Sequence, residues 1–179
     1  MRYSLSMRSK PQVFASLAFF FVAFVHIGLA QTTYMSTGNG NWNAAASWAP
    51  AGVPGAADIA IIQNGHRIRI QNNEDINALT VENGGQLQFA NNNRNLTVHD
   101  GGSMVVNAGG EIDRCCGAND MGVEFTGSGP FAFTINGDVE IDEIRMDGDA
   151  GAALTVSGGG NLFVNDWNGD NHGAITFVA

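Results

Sequence analysis

Apolar and polar residues alternate with a period of two through most of the chain beyond residue 57. In His66-Arg67-Ile68-Arg69-Ile70 the isoleucines fall on one face of an extended strand and the arginines on the other. The same alternation runs through Leu79-Thr80-Val81 and resumes after Gly84-Gly85 as Leu87-Gln88-Phe89. Strands are predicted over 58–62 and 66–70, with Asn64-Gly65 between them as a strong two-residue turn signal. Beyond residue 30 only 43–48, Asn-Ala-Ala-Ala-Ser-Trp, has the composition of a helical turn.

This strand–glycine–strand pattern recurs. Residues 79–89 match 96–106 and 154–164 position for position, and 133–141 is the same unit with two turn residues deleted. Each unit offers four inward side chains, and burying one contributes about 1.5–3 kcal/mol relative to exposure. That offsets the entropy of ordering glycine turns only if neighbouring units cover one another. The expectation is therefore an all-β fold, a right-handed parallel β-helix (β-solenoid) with Gly/Asn corners, in which like units stack on like. A β-sandwich is the alternative. The spacing is uneven, and residues 110–129 have room for a degenerate coil.

The first residues read differently. Arg2, Arg8 and Lys10 precede an apolar run from 13 to 25, and Gly28-Leu29-Ala30 supplies small residues before a cut. Residues 1–30 are expected to form a helical secretory signal peptide cleaved after Ala30. The apolar run falls short of the about 20 residues a spanning helix needs, so no membrane span is expected in the mature chain. Residues 31–56 are read as an N-terminal cap segment and 57–179 as β-helix repeats. Because no capping element follows 174–179, truncation at the C-terminus is expected.

Beyond Ala30 there is no lysine, and five arginines face 17 acidic residues, a net charge of −12. Such a surface repels phosphate backbones, which argues against nucleic acid as a partner. Of the 24 glycines, all but Gly28 lie in this part, among strong strand formers, so the segment is not disordered.

Gly40-Asn41-Trp42-Asn43, Ser47-Trp48, Pro54, Ala57-Asp58, Ile61 and 65–70 together resemble the opening of large secreted β-helical surface proteins of Bacteroidetes-type bacteria. The run continuing through 79–81 and 85–89 is similar to the eight-glycine β-strand module of extracellular proteins. The resemblance covers roughly residues 38–110. It implies an extracellular location, with adhesive or polysaccharide-associated roles and a C-terminal sorting domain common among members. It places no catalytic residue on this chain.

Candidate chemistry is sparse. Cys115 and Cys116 are adjacent and could form a vicinal disulfide, whose ring is strained because one peptide unit separates the α-carbons. Asp166, Asn168 and Asp170 place oxygen ligands at alternate positions, the spacing of a calcium loop's first half, so calcium is the one candidate cofactor. Asp138, Glu140 and Asp142 alternate on one strand face, where like charges need solvent or a bridging cation. Thr80, Thr97, Thr134 and Thr155 occupy one outward slot of the four units. Stacked, they would form a threonine ladder able to order water or contact sugar hydroxyls. Trp42, Trp48 and Trp167 could stack on sugars, the first two more naturally capping the open end of the stack. No histidine sits in a nucleophile motif, and no catalytic residue is expected.

These features describe a secreted, non-enzymatic β-solenoid scaffold or adhesin segment of a bacterial surface or extracellular protein. Its partners would be extracellular polysaccharide or cell-surface components. A carbohydrate-binding module, or a non-catalytic fragment of a polysaccharide-degrading enzyme, is the alternative.

Overall fold

The computed structural model describes residues 30–115, 119–168 and 173–178. The signal-peptide expectation lies almost wholly outside them. Fifteen strands make up the described part, with one three-residue 3-10 turn, Ala45–Ser47. The strands wind into a parallel β-solenoid of about six turns. The sandwich alternative falls, because the only antiparallel pairing among the described strands joins Thr33–Ser36 to Trp48–Ala49.

Three parallel ladders form the walls. The first stacks Thr33–Ser36, Ile59–Ile62, 78–81, 103–106, Phe131–Ile135, Ala152–Ser157 and Gly173–Val178. The second stacks Gly40–Asn41, Arg67–Ile70, Gln86–Phe89, Glu111–Arg114, 138–141 and 161–164. The third stacks 74–76, 95–99, Gly122–Gly127, 143–148 and 166–168. The period-two pattern sends alternate side chains inward, so each ladder lines the interior with an apolar column. Ala60, Leu79, Met104, Phe133 and Val156 form one such column, and all are buried.

The glycine units prove to be corners rather than whole coils. Units 79–89, 133–141 and 154–164 all turn from the first ladder into the second, whereas 96–106 turns from the third into the first. Leu79 therefore lies beside Met104, twenty-five positions on, and Leu96 lies beside Glu74 and Val123. Like does not stack on like throughout. At the shared corner the backbone passes very close to the next coil. A Cβ on Gly85 would sit 2.7 Å from the Ile62 carbonyl oxygen, inside van der Waals contact, so only glycine fits. Hydrogen bonds repeat the stacking there: Gly65 N donates to Gly84 O at 3.0 Å, and Gly84 N to Gly109 O at 2.7 Å.

The segment 31–56 supplies the first rungs of two ladders, Thr33–Ser36 and Gly40–Asn41. Trp42 and Trp48 are fully buried, with ring centroids 5.2 Å apart in an edge-to-face arrangement. They cover the first coil's interior and are not presented to solvent. Among the described residues no helix is long and apolar enough to cross a membrane.

Candidate functional site

The register disperses the threonine column. Thr80 and Thr134 share an outward row of the first ladder, but Val105 lies between them. Thr155 belongs to a different row, beside Ala132 and Thr176, and Thr97 stands on the third ladder between Asp75 and Glu124. Templates aligned by sequence gave these residues one slot; coils of unequal length place Thr97 on a different wall and Thr155 in a different row of the first.

Asp166 and Asn168 lie in the strand Asn161–Asn168, paired with Glu143 and Arg145. An extended strand holds alternate residues about 6.6 Å apart, unlike the tight curl of a calcium loop. Asp170 lies outside the described residues, as does Cys116; Cys115 is disulfide-bonded. Among the described residues no group of three or more His, Cys, Asp or Glu side chains is arranged to hold a metal ion.

The richest polar arrangement is on the outer side of the second ladder. Arg69 Nε donates to Gln88 Oε1 at 3.1 Å, and Gln88 Nε2 donates to Asp113 Oδ2 at 3.4 Å. Gln86 Nε2 bridges Glu111 Oε2 at 3.0 Å and Asp113 Oδ2 at 3.3 Å. Burial, reinforced by Glu111 and Glu140, pushes the Asp113 carboxyl up to about 6. Its Oδ1 is buried without a hydrogen-bond partner.

Farther along the face, each carboxylate of the acidic run 138–142 has a partner within the protein. Arg114 Nε meets Glu140 Oε1 at 2.8 Å and its NH1 meets Asp142 Oδ1 at 3.2 Å. Asn161 and Asn165, one coil on, each donate an amide N–H at 2.7 Å, to Asp138 and Asp142. An arginine and two amides thus contact the alternating carboxylates, for which solvent or a bridging cation is the sequence-based expectation.

Two adjoining clefts flank this arrangement, both lined by Arg114 and Asn165. One, of 330 Å³, also has Glu140, Ile141 and Phe163 in its wall. The other, of 500 Å³, is bounded by Asp120, Asp142, Glu143 and Asp166. Phe163 points away from the core on an outward row beside Glu140 and is 66% exposed. The sequence carried a signal for it: Phe163 fills the template slot that Gln88 and Glu140 fill in sister units.

Of the histidines, His99 Nε2 pairs with Asp75 Oδ1 at 2.8 Å on the third ladder. His66 Nδ1 lies 2.8 Å from Ser36 Oγ, but Ser36 is buried and its oxygen also accepts the Gln63 N–H at 2.9 Å. That geometry knits neighbouring strands together; it does not expose a nucleophile.

The stacked parallel ladders define an all-β β-solenoid domain. The pattern of the G8 domain family matches residues 47–165, and the chain belongs to that family. No curated protein and no solved structure matches the chain.

Proposed function

We propose that the chain is a non-catalytic extracellular scaffold, an adhesin-type segment displayed on or released from a bacterial cell surface. The observation that supports this most directly is the use made of the outward polar groups. Gln86, Arg114, Asn161 and Asn165 are each engaged in tying one coil to another. Carboxylates spent on interlocking coils are poor general acids, since catalysis needs such a group to reach a substrate proton. Assaying the purified protein against a panel of extracellular polysaccharides tests the reading. Turnover that disappears in an Asp113→Asn or Glu140→Gln variant would overturn it. Export with cleavage after Ala30 belongs to the same proposal, and N-terminal sequencing of protein from the medium should begin at Gln31.

One observation favours carbohydrate binding as a second reading. The exposed Phe163 ring beside Arg114, Glu140 and Asn165 joins an apolar platform to hydrogen-bonding groups in one cleft, the combination that holds a sugar ring. Binding on a glycan array that Phe163→Ala abolishes, with the fold intact, would establish it. Trp42 and Trp48 are excluded as contacts by their burial.

A further inference from the structure

The outer face of the second ladder carries a charge gradient whose two ends complement each other. One row reads Arg67, Gln86, Glu111, Asp138, Asn161 from the first full coil to the fifth. The row beside it reads Asn41, Arg69, Gln88 and Asp113, and continues through Glu140 to Phe163. Basic residues therefore hold the N-terminal end, amides the middle, and carboxylates the C-terminal end. Arg67 and Arg69 make no ion pair among the described residues. They line a 170 Å³ cleft with Asn39 and Asn41. Four carboxylates, Glu111, Asp113, Asp138 and Glu140, crowd the other end, and of these Arg114 pairs with Glu140.

We propose that this face is where two copies of the chain associate, with their solenoid axes antiparallel. The twofold axis would run parallel to the strands, between the second and third full coils. That operation keeps each row on its own row and reverses the order of coils, so the contact is isologous. Arg67 then faces the partner's Asp138, Arg69 faces the partner's Glu140, and Gln86 and Gln88 face the partner's Glu111 and Asp113. The same operation lays the exposed Phe163 over the partner's Asn41. One symmetry operation thus gives Arg67 and Arg69 an acidic partner, relieves the carboxylate crowding and covers the exposed ring.

The size of the face sets the strength. Six rungs about 4.8 Å apart span about 24 Å, and the two rows are about 12 Å wide, which gives roughly 600 Å² for both copies. Stable complexes bury about 1,200–2,000 Å², so the dimer is weak and depends on charge. A net charge of −12 per copy opposes it at long range, but salt at about 0.15 M screens that repulsion beyond about 8 Å.

Charge exchange tests the proposal. Wild-type protein in about 0.15 M salt is expected to dimerise reversibly in sedimentation velocity as its concentration rises towards about 1 mM. Arg67→Glu and Asp138→Arg each place like charges at both symmetry-related contacts, and each should weaken self-association at least about tenfold. An equimolar mixture of the two variants restores opposite charges at both contacts and should dimerise within about threefold of wild type. Phe163→Ala, at a fully outward site, should weaken the dimer without touching the core. A wild-type protein that stays monomeric overturns the proposal. So does a dimer indifferent to all three substitutions, or a monomer whose Phe163 face binds only a glycan.

Discussion

Trp48 donates its indole Nε1–H to the main-chain oxygen of Trp42 at 2.8 Å, and the two buried rings meet edge to face. The contact adds apolar surface to the core and leaves that buried carbonyl satisfied. Trp42→Ala is expected to cost about 3–5 kcal/mol, the usual range for deleting a buried aromatic. Trp48→Phe keeps most of the ring but orphans the Trp42 oxygen, for about 1–2 kcal/mol. Urea unfolding of both variants checks the order; a Trp48→Phe midpoint equal to that of wild type would show that the hydrogen bond contributes nothing.

At the glycine corner the decisive quantity is distance. Gly85→Ala would bring Cβ within 2.7 Å of Ile62 O and 3.1 Å of both Gln63 O and Glu82 O. None of these backbone atoms can move without shifting a coil, so the substitution should cost about 2–3 kcal/mol. Gly159, where an added Cβ would meet nothing within 4 Å, is the matched control. Gly159→Ala should change stability by no more than about 0.5 kcal/mol. Thermal melts of the pair decide whether corner crowding, rather than glycine content, shapes the sequence.

Glu74 takes an inward slot of the third ladder, in the row continued by Leu96, Val123 and Ile144. It is buried, its Oε1 has no hydrogen-bond partner, and burial together with Asp75 raises its pKa. Glu74→Leu is expected to stabilise the protein by about 1–3 kcal/mol at neutral pH, since an uncompensated buried carboxyl is replaced by apolar packing. A lower unfolding midpoint than wild type would assign that carboxyl a structural partner.

The raised pKa of Asp113 has a definite sign. Its folded value is about 6 against 3.8 for the free side chain, so the folded protein binds the proton more tightly. The contribution is fully present below about pH 4 and is lost as pH rises through about 6, by about 1 kcal/mol after allowance for partial exposure. Asp113→Asn should flatten that part of the stability–pH curve. A curve identical to wild type between pH 4 and 7 would count against the burial of this carboxyl.

The strand alternation made the solenoid legible, because period-two runs such as Arg67–Ile70 lie within single strands and depend only on local sequence. Register was not. Residues 79–81 and 96–98 carry the same Leu-Thr-Val, yet occupy different walls, since register depends on how many residues each coil spends between walls. Five residues separate Phe89 from Asn95, and seven separate Arg114 from Gly122. The threonine ladder failed for that reason. The charge gradient was hidden for the same reason, as Arg67 and Asp138 join one row only after every coil between them has closed.

The hydrogen bonds of all three ladders run along the solenoid axis, each coil gripping only its neighbours. A load pulling the two ends apart therefore acts on coil-to-coil junctions in series, and the weakest junction yields before the rest feel failure. The amide and arginine links between outward side chains, Asn161 to Asp138 and Arg114 to Glu140 among them, act as extra rivets across those junctions. In a protein built this way, tensile strength is written on the outer wall rather than in the apolar interior.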